Sequence, residues 1–339
     1  MTLLDQVAQA TALVLETNNL RGGAAQAQAE ASLRHAMASL AAQTLPLQAL
    51  AQLVITHDGL GAACMAELRR LAGRAIDFVQ IDPSLDYYAA KNAGFASTDP
   101  LRITHVVFAD SDCTPAPCWL AELLTPFTQS EPPAAVAGRT SYAAGIVGTA
   151  LTTIDFMYFP SPLETGATRN FYANNIAFRR EVFEQHRYQA VEGVYRANCQ
   201  VLGLALQAAG VAVRYAPAAH TEHRLPDTWR ETLQLRWMRG EDTLGLTPYL
   251  VRAYLPAWLQ WLARSGPVGP VCVQLGRLSY SLRALNRQDL PALRGGRWLM
   301  GLACIVGFSV VDLTGAVARG FGFKRAASSG DQTLSYHRR

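Results

Sequence analysis

The sequence predicts an α/β fold, a mostly parallel sheet covered by helices on both faces, followed by a smaller helical region. Two observations carry this. Short apolar runs alternate with amphipathic stretches along the first 245 of the 339 residues, the pattern of repeated β-α-β units. One run, His105 to Ala109, ends abruptly in Asp110, Ser111 and Asp112, which reads as a buried strand delivering two carboxylates to the edge where open α/β sheets bind ligands. Half the residues are apolar, so the chain can bury a full core and is not disordered.

Ala12 to Thr17 is the first strand, closing on the polar Glu16 and Thr17. Ala24 to Gln43, with Ala, Leu and Met recurring every three or four residues, is an amphipathic helix. Gln52 to Asp58 is the second strand, and a helix over 61–73, a strand over 75–81 and a helix over 85–96 continue the alternation. Lys91 stands in that last helix; the chain uses Arg 28 times and Lys only twice, so compositional habit does not put it there. Trp119 to Phe127 is a helix and Ala134 to Tyr142 a strand. Residues 143–169 lack a clean period and carry Pro160, Pro162 and Gly166, which reads as a mobile cover over the site. Asn174 and Asn175 then lead an apolar run ending in Arg179 and Arg180. Asn198 to Ala209 is a helix, Val211 to Tyr215 a last short strand, and Thr228 to Met238 a helix capped by Asp227.

Asp110 and Asp112, straddling a small Ser111, suit a hard divalent cation such as Mg²⁺ or Mn²⁺, which takes oxygen ligands and shares them with phosphate. Two solvated acids at a strand end are the bland alternative. His220 and His223 would suit zinc on a helix, but Pro217 and Pro226 flank them and argue against one.

Taken together, Leu13 to Asn19, Val54 to Gly59, Tyr88 to Gly94, the Asp-Ser-Asp stretch with Trp119 and Leu120, Asn174 to Arg180, and Arg236-Trp237-Met238-Arg239-Gly240 resemble a family 2 glycosyltransferase with the glycosyltransferase A fold. The resemblance implies a Rossmann-like, nucleotide-binding catalytic domain over 1–245 and a metal-dependent, inverting enzyme of hexosyltransferase type. Such an enzyme moves a sugar from a nucleotide-diphosphate donor to a glycan, lipid-linked or other acceptor, here one of the cell envelope. It implies Glu16, Thr17 and Asp58 at the nucleoside, with Lys91, Arg236 and Arg239 at the diphosphate. Asp110, Ser111 and Asp112 meet the donor; Asp110, Asp112 and His223 hold the cation; Asn174 and Asn175 approach the donor sugar; Trp237 stacks on a sugar or lies in the core. The chain departs from the family at His57, where an acid is usual, and at Leu233, where a Gln precedes the Arg-Trp pair.

An inverting transfer needs a base, because the acceptor hydroxyl must lose its proton as it attacks. The family carries an acidic pair before the helix that begins here near Asn198. Glu192 is the only carboxylate between Glu184 and Glu222 and is the candidate. Arg196 and Asn198 at the usual base position leave two alternatives open: another residue takes the proton, or the chain is a nucleotide-binding scaffold with a degenerate fold. A nucleotidyltransferase would also place acids at strand ends, but no Gly-rich phosphate loop stands near residues 15–25.

Charge is divided along the chain. Up to Gly245 there are 18 Arg and Lys against 23 Asp and Glu; the last 94 residues hold 12 against 3. Basic residues among long apolar runs suit an anionic membrane surface better than nucleic acid. In region 246–325, Tyr249 to Leu262 and Val271 to Leu285 are apolar helices. Trp298 to Ala318 carries a single charge, Asp312. It is long enough to span a bilayer, although an intramembrane acid is costly; interfacial attachment, a packed or dimer helix and a true span are the alternatives. Residues 326–339 read as a disordered tail. Six cysteines without a Cys-x-x-Cys pair, and no cleavable signal pattern at the start, predict a reducing cytoplasm, with the protein peripheral at the inner face of the membrane.

Overall fold

The computed structural model describes residues 1–17, 23–157, 166–168, 170–191, 194, 197–285 and 293–322. The expected architecture forms. In chain order its elements are α1 (Leu3–Ala8), β1 (Thr11–Glu16), α2 (Gly23–Ala41), β2 (Gln52–His57), α3 (Ala62–Ala72), β3 (Asp77–Gln80), α4 (Tyr87–Ala96), β4 (His105–Asp110) and β5 (Cys113–Pro115). They continue with α5 (Trp119–Leu124), β6 (Ala135–Tyr142), α6 (Ile146–Phe156), β7 (Ala167–Thr168), β8 (Ile176–Arg179), α7 (Arg180–Gln185) and α8 (Asn198–Ala208). The chain then runs through β9 (Val213–His223), α9 (Trp229–Tyr254), α10 (Val268–Ala284) and α11 (Gly296–Gly320).

The sheet order is β3-β2-β1-β4-β8-β6-β9-β5, with β7 paired to β9 off this path. β1 to β4 are mutually parallel, whereas β8 runs antiparallel to β4 and β6, and β5 antiparallel to β9. Successive strands leave β1 first toward β2 and β3, then return to its other side at β4. That reversal opens a crevice at the carboxyl ends of β1 and β4, where Glu16 stands opposite Asp110.

Side chains alternate across β1 as the pleat requires. Leu13 and Leu15 join Leu33, Met37, Leu68 and Trp119 beneath α2, α3 and α5. Val14 faces the other way, toward Phe95, Phe108, Phe178 and Phe183 beneath α4 and α7. All six residues of β1 are buried, which explains its uninterrupted apolar run.

The structure departs from the sequence expectations in four places, the first being the helix expected over Tyr249 to Leu262, which divides into the end of α9 and a separate 3₁₀ helix over Ala257–Arg264 because Leu255 and Pro256 break it. Residues 143–169, expected as a mobile cover, contain α6, in which every residue from Gly148 to Asp155 is buried; a helix enclosed on all sides has no polar face and so no period to read. Positions 158–165 and 169 lie outside the described residues. β9 continues past Pro217 to His223, far beyond Tyr215. α9 is capped by Thr228 in a capping box with Glu231 rather than by Asp227, and it runs across residue 245 to Tyr254.

α9, α10, α11 and α6 pack on one another as a separate helical layer. α9 and α11 cross in very close contact. A methyl built on Gly240 would come within 2.0 Å of the Asp312 carbonyl, and one on Gly315 within 2.3 Å of the Trp237 carbonyl, so both positions exclude a side chain. The expected tail, 326–339, lies outside the described residues.

Candidate active site

A cavity of about 350 Å³ opens at the crevice, within the range of small-ligand sites. Thr17 and the α2 residues Gln28 and Ser32 form one side, and Asp110, Ser111 and Asp112 lie at its base. Asn174, His223 and Arg224 continue the wall, and the C-terminal helices close it with Leu235, Arg239, Asp242 and Arg277. Of the residues nominated from sequence, Thr17, Asp110, Ser111, Asp112, Asn174, His223 and Arg239 line this cavity. Glu16, Asp58, Lys91, Asn175, Arg236 and Trp237 do not, and Glu192, with Arg196, lies outside the described residues.

Ser111 fixes the strand ends. Its hydroxyl donates to the Thr17 carbonyl (2.9 Å), and its own carbonyl accepts from Ser32 Oγ (2.8 Å). β1, β4 and α2 are therefore tied together at one residue whose neighbours are the two acids.

Those two acids have different surroundings. Asp110 gives one carboxylate oxygen to Lys91 Nζ at 2.5 Å and the other to the Tyr87 hydroxyl at 2.6 Å. Burial pushes its carboxyl up, against the pull of Lys91, and the net direction is upward. Asp110 thus accepts one side-chain donor at each oxygen, and it lines the cavity with lone pairs to spare. Lys91, fully buried, neutralises Asp110 instead of facing a diphosphate. The reason is visible in α4, where Tyr87 and Lys91 at i, i+4 share one helix face and grip the carboxylate from two sides.

Asp112 is open to the cavity, and its Oδ2 lies 3.4 Å from His223 Nε2, with both side chains about a quarter exposed (23 and 24 %). His223 Nδ1 donates to the Arg224 carbonyl at 2.9 Å, because a carbonyl can only accept. In the neutral ring this leaves the Nε2 lone pair toward Asp112, the tautomer a metal ligand needs. Cys113 joins them: among the described residues these three offer donor atoms within 4.8 Å of one another. Burial, with Asp112 and Asp110 nearby, pushes the Cys113 thiol well up, so it remains a thiol while Asp112 and His223 supply the oxygen and nitrogen. That donor set fits Mn²⁺ or Mg²⁺, with water or a phosphate completing the shell.

The remaining nominees are absorbed into the framework. Asn175 is fully buried; its Oδ1 accepts from Trp119 Nε1 (2.8 Å), and its Nδ2 donates to the carbonyls of Arg139 (2.9 Å) and Ala219 (3.0 Å). It knits β6, β9 and α5 rather than meeting a sugar, whereas Asn174 reaches the cavity and accepts from Thr140 Oγ1 at 3.1 Å. Arg236, expected at a diphosphate, has no exposed surface. It clasps Asp312 through Nε (2.7 Å) and Nη2 and pairs with Asp155 through Nη1. Arg239 shares Asp155 at 2.6 Å while still lining the cavity. Burial pushes the Asp155 carboxyl up, but Arg236 and Arg239 outweigh it and hold it below the ordinary value. Trp237 packs at the α9–α11 crossing through its backbone. His220 is paired with Ser141 Oγ (2.8 Å) in a separate, smaller cavity and takes no part in the Asp112 cluster.

The reading from sequence missed Tyr87, Asp155, Asp242 and Arg277. Tyr87 had a signal in its spacing from Lys91. Asp155 is a lone acid in an apolar stretch, as Asp312 is, and two such acids imply buried cationic partners.

No protein-family model matches the chain, and no curated relative matches it either. Among solved structures the chain is similar to the mannosyltransferase PcManGT from Pyrobaculum calidifontis, determined in complex with GDP-Man and Mn²⁺. The two share 13% identity at a TM-score of 0.55 over 93% of this chain and 88% of that one. A second match is GalNAc-T7, determined with UDP, GalNAc and Mn²⁺, at 11% identity and a TM-score of 0.49 over 75% of this chain and 54% of that one. The likeness to the mannosyltransferase establishes the fold: a glycosyltransferase A type α/β domain with C-terminal helices added.

Proposed function

We propose that this chain is a divergent family 2 glycosyltransferase, metal-dependent and inverting, that moves a sugar from a nucleotide-diphosphate donor to a glycan or lipid-linked acceptor. The observation that carries the reading is the open Asp112–His223 pair at the carboxyl end of β4, inside a cavity rimmed by the end of β1. Asp112 and His223 would hold the cation, which neutralises charge on the departing diphosphate when bound. The imidazole favours Mn²⁺ over Mg²⁺, since Mg²⁺ prefers oxygen alone.

Thr17 and Ser111 shape the nucleoside end, with Asp58 following the neighbouring strand β2. Asn174, which can both donate and accept, suits sugar hydroxyls. Arg239 offers a charge-assisted donor to phosphate at the cavity wall. Lys91 and Tyr87 act as positioning residues, holding Asp110 so that the chain turns sharply at Ser111 and presents Asp112. Glu192 remains the candidate base.

The test is sugar-nucleotide turnover with Mn²⁺, measured across a panel of donors. Asp112→Ala and His223→Ala should each lower turnover at least about a hundredfold, and Asp112→Ala should abolish the thermal stabilisation that Mn²⁺ gives with donor. Unaltered turnover in Asp112→Ala removes the metal role. A chain that binds nucleotide but turns over no donor is the scaffold instead.

A further inference from the structure

The C-terminal helices are partly inverted relative to an ordinary surface helix: polar side chains are buried beside core residues such as Ile305 and Phe308, and apolar ones face outward. Along α11 the outward stripe Leu299, Met300, Val306 and Val310 is 60, 57, 41 and 52% exposed, while Ser309 and Asp312 face inward at 7 and 1%. Positions three, four and seven apart share one face, so the stripe runs unbroken for about 17 Å. α10 repeats the inversion, with Gln274, Arg277 and Ser281 inside and Val268 and Leu275 outside. A monomer in water has no reason to hide its polar residues and display its apolar ones.

Charge says what covers this face. Among the described residues after 246 the one acid, Asp312, is buried, whereas Arg252, Arg264, Arg283, Arg294 and Arg297 are exposed. An apolar stripe with exposed Arg283 on α10, and Arg294 and Arg297 around the start of α11, on helices that expose no acid, complements an anionic lipid surface. α11 is long and apolar enough to cross a bilayer, yet its other face is committed from end to end. Ile305 and Phe308 pack with α6 residues, Gly315 lies against Trp237, and Gly320 lies against Pro267. Crossing would strip these contacts and leave Arg236 without Asp312, so the helix lies flat.

We propose that the outer face of α10 and α11 docks in the plane of an anionic bilayer, which makes the protein a peripheral membrane protein. This does not rest on the transfer reaction. The experiment is flotation of the full chain with phosphatidylglycerol-containing vesicles, against pure phosphatidylcholine vesicles and a salt series. Wild type should float with the anionic vesicles. Val306→Glu combined with Val310→Glu should cut binding at least about tenfold with an unchanged melting temperature, since both positions are exposed. Arg294→Gln with Arg297→Gln should weaken binding to anionic vesicles and flatten its salt dependence. The inference is overturned if wild type does not float or the double Glu variant floats like wild type. It is equally overturned if the chain is a lipid-free dimer that this variant converts to monomer, which would make the stripe a contact between copies.

Discussion

In β4 the interior receives Val106, Val107 and Phe108, and the acids wait at the strand end beside the cavity. In α11 the interior receives Ser309 and Asp312 beside Ile305 and Phe308, while Val306 and Val310 look outward. The sheet body is held together by apolar burial with charge kept at its rim. The helical layer is instead organised around a buried ion cluster in which Arg236 serves Asp155 and Asp312, and Arg239 shares Asp155. Specificity of packing therefore comes from different sources in the two halves: jigsaw fit in the first, charge pairing and glycine contacts in the second.

The largest effect should come from attacking that cluster. Arg236→Met takes the hydrogen-bonded partner from buried Asp312 and one of two from Asp155, leaving Arg239 on Asp155 and only the more distant charge of Arg277 on Asp312, and should cost roughly 3–5 kcal/mol, read by calorimetry or denaturant unfolding. Adding Asp312→Leu should recover part of the loss, because it removes one of the stranded charges. If Arg236→Met were as mild as a surface change, the contrast between the halves would collapse. Next comes the crossing of α9 and α11. Gly240→Ala places a methyl 2.0 Å from the Asp312 carbonyl and should cost about 1–3 kcal/mol through overpacking, with an open site such as Gly276, where a methyl meets nothing within 4 Å, as the control.

A third and smaller test sharpens the comparison from the sheet side, where two half-buried histidines are kept neutral. Burial, helped by Arg179, pulls His105 down to about 4, and burial, helped by Arg139, does the same to His220, from an ordinary value of 6.5. Between pH 6.5 and 4 the unfolded chain therefore binds protons that the folded chain refuses, so stability is full above 6.5 and falls as pH drops through that window. Melting temperature against pH should show this slope in wild type and a shallower one in His105→Gln. An unchanged slope would mean that His105 charges freely in the fold.

Much of the sheet body was legible because its strands are short apolar runs whose ends carry the chemistry. β1, β2 and β4 were placed within a residue or two, and the ends of β1 and β4 do meet around Ser111. The site was only half legible. That Asp110 and Asp112 differ depends on Tyr87 and Lys91 arriving from another helix, and nothing in the spacing of the acids tells the gripped one from the open one. Arg236 pairs with acids 76 and 81 residues away, and one of these sits in α6, a helix with no amphipathic period. Asn175 looked like a ligand because amides suit sugars, but its three partners come from separate elements. β9 was expected to end at Tyr215 yet runs on across Pro217, because a proline is tolerated where a strand is irregular; the pairing of β6 with β9 shifts at Gly138–Arg139.

The meeting of Asp112 with His223 is set by a ladder, since Cys113 sits directly across from His223 where β5 and β9 run in opposite directions. Alternate residues of a strand point to opposite sides, so sliding one of these two ribbons past the other by a single residue would send one ligand out of the cavity while leaving most backbone bonds remade. Ion binding should accordingly act as a latch on alignment: amide protons of Cys113 and Thr221–His223 should exchange with deuterium more slowly once Mn²⁺ is present, before any sugar nucleotide is added.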